Sequence, residues 1–303
     1  MMGDLFLSAL LIALAVVAGR VWVLLPSRAA RMGAWAALAG GVICLSFLER
    51  PPLLRMAVFC TFLLGAMKAL VYVEWAATGR RLTWGRYLIF AFLWFGMEPG
   101  TFARRRMGLE WRSHLRIGMM CASAGLLGAL IVRSAGWPHV LLLFVPMSLA
   151  FHYGALRLMT AGFRLGGLPA QVLFRNPFMS TGLGDFWAVR WNTGYAHMMA
   201  RTVLRPARHV VGSRLAQFMV FVFSGLLHEI AITVPVRSGY GLPTLYFLIQ
   251  GLAVEVENHL IPRKLRRPWA LASVLFPIGL LFPPAFREEC IVRVLSVLPD
   301  LFP

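Results

Sequence analysis

The sequence predicts an all-α integral membrane protein. Three observations carry that prediction: a strongly apolar composition, apolar runs of membrane-spanning length, and arginines that fall between those runs. Of the 303 residues, 59% are hydrophobic and 14% charged, whereas soluble domains are about 45–50% apolar and about 25% charged. Mean hydropathy is +0.72. The formal charge is nevertheless +18, from 30 basic residues against 12 acidic ones, and Lys68 and Lys264 are the only lysines. Such a charge in a soluble protein would suggest nucleic acid, which needs a solvated basic face. Arginines set between apolar stretches instead follow positive-inside topology and attraction to anionic lipid or an anionic substrate. Nucleic-acid binding is set aside.

A spanning helix needs about 20 mostly apolar residues. About eight segments approach that length: Leu5–Leu25, Gly33–Leu48, Met56–Trp75, Ile117–Val132, Pro138–Leu158, Ala216–Val236, Leu242–Leu260 and Trp269–Phe282. The first lacks the basic leader of a cleavable signal and is longer than a signal core, so it reads as a retained helix. Tyr87–Met97 is apolar but short and runs into Glu98-Pro99-Gly100, so it is expected to be re-entrant. With both termini outside and Tyr87–Met97 not crossing, the arginines at 28 and 31, 80–86, 104–116 and 263–267 all fall in the cytoplasm. Arginine used in preference to lysine points to a bacterial inner membrane. Cys44, Cys60, Cys121 and Cys290 are scattered, and no Cys or His spacing suits a metal or a disulfide framework. His114, His139, His197 and His209 are expected in loops or at the interface, and His152 as a lining residue.

Between the fifth and sixth segments, Thr160–Arg214 combines arginines and tryptophans with repeated Gly and Pro. A structureless loop of that length is improbable in a compact domain. Amphipathic helices lying in the interface are expected, on the cytoplasmic side. The chain as a whole reads as one polytopic domain, residues 1–303, with the chemistry in 160–229.

Two motifs carry that chemistry. Phe223-Ser224-Gly225-Leu226-Leu227-His228-Glu229 places an ionisable pair inside a spanning segment, where such groups are expensive and mark a functional interior face. Ser224 lies one turn before His228 on the same face, and Gly225 permits close approach of substrate or another helix. Glu255, Glu257, Asn258 and His259 form a second polar cluster at a helix end, expected to snorkel or to pair with arginine. The other motif is Asp185-Phe186-Trp187-Ala188-Val189-Arg190-Trp191-Asn192. An aromatic belt with a snorkelling arginine accounts for most of it, but not for Asn192, a poor anchor and a poor helix former.

The two motifs together resemble the wax synthase-like branch of the membrane-bound O-acyltransferases. In that family Asp-Phe-Trp-x-x-Arg-Trp-Asn precedes an invariant His in an apolar helix, usually followed by Glu. Leu204-Arg205-Pro206 and Phe95-Gly96-Met97-Glu98-Pro99 are similar to two further stretches of the family. Plant members usually have Gly-Arg where this chain has Ala188-Val189. The resemblance implies a helical bundle enclosing a catalytic tunnel, with Asn192 and His228 as the active-site pair.

It also implies transfer of an acyl group from acyl-CoA, as co-substrate and with no cofactor, to the hydroxyl of a lipophilic alcohol. His is suited by its pKa to take the alcohol proton as the oxygen attacks the thioester, and the Asn192 amide to steady the oxyanion. Asp185, Trp187, Arg190, Trp191, Ser224 and Glu229 are expected around the substrate. Arg205 and Arg208, with Arg190 and Arg201, are candidates for the coenzyme A phosphates. For both active-site residues to reach one thioester, the 185–192 segment must dip into the bundle. Acyl or acetyl transfer to a sugar, terpenoid or other natural-product hydroxyl is an alternative within this class. A proton-coupled transporter is the rival from another class, but no repeated halves are visible. A prenyl or phosphoalcohol transferase would need acidic clusters for Mg²⁺, and the carboxylates are dispersed.

Overall fold

In a computed structural model, residues 2–25, 27–134 and 140–293 are described; His139 and the start of the Pro138–Leu158 segment lie outside them. All regular structure among the described residues is helical, as a chain in lipid requires when its backbone groups must be satisfied within each segment. The helices are α1 (Met2–Trp22), α2 (Ser27–Ser46), α3 (Pro52–Ala76), α4 (Trp84–Leu93), α5 (Arg112–Ser134), α6 (Leu142–Leu165), α7 (Thr193–Met199), α8 (Arg205–Val211), α9 (Ser213–Val236), α10 (Leu242–Leu260), α11 (Arg263–Leu281) and α12 (Pro284–Val292).

Five of them, α2, α3, α5, α6 and α9, are long and apolar enough to cross a membrane, or up to six if α11 and α12, bent by 77°, form one broken span. The chain is a multi-pass membrane protein with fewer clear spans than the eight expected. The differences have physical causes. Leu242–Leu260 is helical over its full length, but Gln250, Glu255, Glu257, Asn258 and His259 dilute its hydropathy. Trp269–Phe282 is interrupted at Pro277 and Pro283. Tyr87–Met97 does not form a span: α4 ends at Leu93, Trp94 is extended, and a short 3₁₀ turn follows at Pro99–Phe102.

The chain divides into two compact units. One comprises residues 1–81, 180–184 and 197–303, the other residues 82–179 and 185–196. In the first unit α3 is the core helix. Phe59, Phe62, Leu70, Tyr72 and Lys68 are among its fully buried side chains, and α1 and α2 pack along it. Ion pairs tie its two ends to other elements: Arg31 holds Glu74 at 2.6 Å near the C-terminal end, and Arg237 holds Glu49 ahead of the N-terminal end. The Arg237 guanidinium keeps the Glu49 carboxyl below the usual carboxylate range. Arg55, 4% exposed, donates to the Val234 carbonyl at 3.0 Å. α10 is bound to α11 by donations from Gln250 to Ser273 O (2.7 Å), Tyr246 to Val274 O (3.2 Å) and Trp269 to Ala253 O (3.1 Å).

The second unit is built on α5 and α6, which pack backbone to backbone at Gly125 and Gly154. Close packing of small residues is how helices associate without a hydrophobic driving force between them. Leu126, Leu127, Leu130 and Ile131 on α5 stay exposed, a lipid-facing stripe. Arg164 donates to the carbonyls of Ala170 and Glu110, and Arg106 N–H to Gly167 O, so connecting backbone is satisfied internally.

A Cβ at position 125 would lie 2.4 Å from the Ala150 nitrogen, whereas one at position 40 meets nothing within 4 Å. Gly125→Ala is therefore expected to destabilise by about 1–3 kcal/mol, and Gly40→Ala to be neutral or stabilising by up to about 1 kcal/mol. Melting of the two variants in detergent checks this ordering.

Candidate active site

The Asp185–Asn192 motif lies in the second unit, and its spacing becomes intelligible there. Phe186–Arg190 form a π turn, closed by the Trp191 N–H donating to Phe186 O at 2.8 Å. A π turn brings residues five apart onto one face. Two such pairs form: Arg190 Nε donates to Asp185 at 2.7 Å, and the Phe186 and Trp191 rings stack at 5.6 Å and 10°. Phe174 packs edge-on to Trp191 at 5.0 Å, and the His152 ring lies 4.3 Å from Phe174 and 5.4 Å from Trp191. Trp187 meets Phe186 edge-on at 4.9 Å.

Of the helices expected over Thr160–Arg214, those at 193–211 are present, while residues 166–182 do not form them. α6 runs on to Leu165, residues 166–182 contain only a short 3₁₀ turn, and Leu168, Leu173, Phe174, Leu183 and Phe186 are buried. Residues 166–182 pack their apolar side chains into protein, whereas residues 193–211 form one continuous helical run of α7, a π turn at Ala200–Leu204 and α8. The backbone on either side of the π turn is held by the preceding chain, with Arg175 N–H donating to Arg190 O and Thr193 N–H to Leu173 O, both at 2.8 Å.

Asn192 closes the motif with φ +45°. Asn tolerates this left-handed region better than most side chains, which is one reason for Asn here. Its Oδ1 accepts the Tyr195 N–H at 3.1 Å and its carbonyl accepts the Ala196 N–H, so it caps α7. A backbone N–H binds only the amide oxygen, so the orientation of the side chain is fixed and the Nδ2 donors are those left for a ligand. The Gly96-Met97 turn comes against the next residues: a Cβ on Gly194 would lie 3.1 Å from Gly96 Cα. Within this unit the two family-like stretches are thus neighbours.

His228 lies in the first unit, half-buried in α9. Its Nδ1 is 2.7 Å from the Ser224 carbonyl. A carbonyl only accepts, so Nδ1 carries the proton and Nε2 is the basic nitrogen of the neutral ring. Ser224 is buried and its hydroxyl donates to Val220 O, so its contribution is the carbonyl that fixes the tautomer. Phe247 of α10 stacks obliquely on the imidazole at 4.4 Å. Gly225 admits α10 as anticipated, since a Cβ there would lie 2.8 Å from Thr244 Cα. The Glu229 carboxylate is committed to structure: it accepts the Thr244 N–H at 3.0 Å, in the first turn of α10, and the Thr233 hydroxyl.

Arg205 and Arg208 are exposed on α8, available to an anion. Arg190 is joined to Asp185 and to the Asn176 carbonyl. In the second polar cluster, Glu255 pairs with Arg214 at 2.9 Å and approaches His259, as an arginine-paired residue should. Glu257 departs from that expectation: it is 3% exposed and accepts the Leu183 N–H at 2.6 Å and the Gly184 N–H at 3.5 Å. Its only sequence signal is a glycine-bracketed partner, Gly182-Leu183-Gly184, far away in the chain. His114 is buried in the first turn of α5, while His197 and His209 are exposed on α7 and α8. Among the described residues no three His, Cys, Asp or Glu side chains gather as a metal site would require.

The chain is thus a multi-pass helical membrane protein in which His228 has a fixed tautomer and Asn192 is held as a helix cap. Comparison with known proteins is more specific. Residues 170–249, which include both motifs, match the membrane bound O-acyl transferase family, and the chain resembles the wax synthase-like branch of these proteins. Similar proteins include a probable long-chain-alcohol O-fatty-acyltransferase 2 of Arabidopsis thaliana, 28% identical over 153 residues, covering 43% of this chain and 43% of the relative. An acyl-CoA–sterol O-acyltransferase 1 of the same plant is 31% identical over 37% of this chain and 35% of its own length. A long-chain-alcohol O-fatty-acyltransferase of Simmondsia chinensis is 31% identical over 30% and 28%, respectively. The match spans less than half the length of these relatives. All three are plant proteins and lend no support to a bacterial source.

The Asp185–Arg190 pair is about three-quarters buried on each side, so it is expected to be worth more than an exposed pair. Asp185→Asn and Arg190→Gln should each lower the melting temperature. In a double-mutant cycle their effects should fall short of additive by about 0.5–1.5 kcal/mol.

Proposed function

We propose that the protein is a membrane O-acyltransferase that passes an acyl group from acyl-CoA to the hydroxyl of a lipophilic alcohol. The observation that carries this reading is the Nδ1–Ser224 bond, which fixes the tautomer and makes Nε2 the basic nitrogen of His228, inside the stretch that matches the acyltransferase family. Relatives named for long-chain alcohols and for a sterol support a lipophilic acceptor.

In this mechanism His228 Nε2 takes the alcohol proton while the oxygen attacks the thioester carbonyl. Asn192 Nδ2 donates to the developing oxyanion, a contribution typically of a few kcal/mol. Collapse of the tetrahedral intermediate forms the ester and releases the coenzyme A thiolate, to which the imidazolium returns the proton. No nucleophilic side chain is needed. In this reading coenzyme A approaches from the cytoplasmic side and the alcohol from the membrane. The exposed Arg205 and Arg208 bind the coenzyme A phosphates.

Purified protein given labelled acyl-CoAs and a panel of alcohols should form ester and free coenzyme A in equal amounts. His228→Ala should abolish transfer while the protein stays folded, and substantial turnover in that variant would remove the general-base role. Asn192→Ala should lower kcat by about 10²–10³ with little change in the KM for acyl-CoA.

Phosphate contacts at a wet surface are screened over about 8–10 Å at physiological ionic strength. KM for acyl-CoA should therefore rise with salt, and Arg205→Gln with Arg208→Gln should raise KM more than they lower kcat. An unchanged KM in the double variant would return these arginines to a purely topological role.

A further inference from the structure

The mechanism leaves one buried carboxylate without a role. Glu257 sits near the end of α10 at 3% exposure, with Leu183 N–H at 2.6 Å and Gly184 N–H at 3.5 Å. These are the amides leading into the helical turn Leu183–Asp185 and the π turn after it, where no earlier residue of the helix supplies an acceptor. In a region closed to water such donors must find a partner in the protein, and a carboxylate is the strongest acceptor available.

Gly182 completes the seat: a Cβ there would lie 2.6 Å from the Glu257 carboxylate oxygen, so a larger residue displaces the carboxylate from its present position. The other end of α10 is held in the same way, with Glu229 accepting the Thr244 N–H. Glu229 follows His228 in the chain, and Phe247, one turn along from Thr244, packs on the imidazole. One helix, over about 20 Å, therefore bears on His228 at its start and on Leu183 and Gly184, the residues that lead into Asp185, near its end.

We propose that Glu257 is a positioning residue for Asn192: it anchors the root of the π turn so that the amide is presented in a fixed place. The inference rests on the reading of Asn192 as the oxyanion donor. Glu257 touches no reacting atom. Its effect passes through Leu183 and Gly184 into a turn whose five-residue register is already set by the Asp185–Arg190 and Phe186–Trp191 pairs.

The test uses the full chain and two variants that attack the seat from opposite sides, Glu257→Gln and Gly182→Ala, with His228→Ala and Asn192→Ala alongside. In hydrogen exchange, amides of residues 183–192 should exchange about tenfold faster in both variants while α3 keeps its protection. Turnover should fall about tenfold in kcat, the size expected of a small misplacement, with the KM for acyl-CoA within about twofold of the parent. Unchanged exchange at 183–192, or unchanged kcat while His228→Ala and Asn192→Ala are inactive, overturns the positioning role alone. Loss of α3 protection in both variants overturns it too, because the carboxylate then serves the fold at large. Normal turnover in His228→Ala and Asn192→Ala removes the acyl-transfer reading, and the positioning role with it.

Discussion

Everything near the candidate site depends on a single constraint: backbone N–H groups at the start of a buried helix have no acceptor in their own helix. In water the solvent supplies one. In this protein two carboxylates supply it from other helices, Glu229 to Thr244 and Glu257 to Leu183 and Gly184. A charged acceptor is costly to bury and roughly twice as strong a partner as a neutral one. These bonds therefore fix where α10 begins and where residues 183–184 lie, and the surrounding packing follows from them. Gly225 against Thr244 and Phe247 against His228 are contacts that become possible once α10 is seated in this way.

The same logic extends to arginine. Arg55 serves the Val234 carbonyl at the end of α9, and Arg164 serves carbonyls of connecting backbone. Part of the large positive charge therefore closes the hydrogen-bonding of irregular backbone, in addition to whatever it does at the membrane surface. Arg205 and Arg208 contrast with these, standing exposed near the end of the helical run 193–211. That contrast makes them better candidates for an anion than Arg190, which is engaged within its own motif.

Much of this was legible in the sequence. Composition announced a helical membrane protein, and the apolar run around His228 announced α9. Leu242–Leu260 is helical as expected, and the polar residues that dilute its hydropathy include Gln250 and Glu257, which are buried and hydrogen-bonded. Asn192 looked anomalous as a helix former because it is a left-handed cap. The Asp185–Arg190 and Phe186–Trp191 pairs were in plain view five residues apart, but helical reading searches for three and four. Glu257 was misread because its partners are backbone amides distant in sequence, which leave no side-chain signature.

The π turn also sets which changes the motif can absorb. Ala188 and Val189 occupy its outer side and are exposed, and they are the positions at which this chain departs from the usual plant pattern. Side chains there can vary without disturbing either pair. The number of residues cannot. Removing one would tighten the turn to the ordinary α register, swing everything beyond it by about a quarter of a revolution, and turn Asn192 away from its present direction. The arithmetic of the segment is thus under tighter constraint than its lettering: a deletion inside the motif should disturb the placement of Asn192 more than any substitution at its crest.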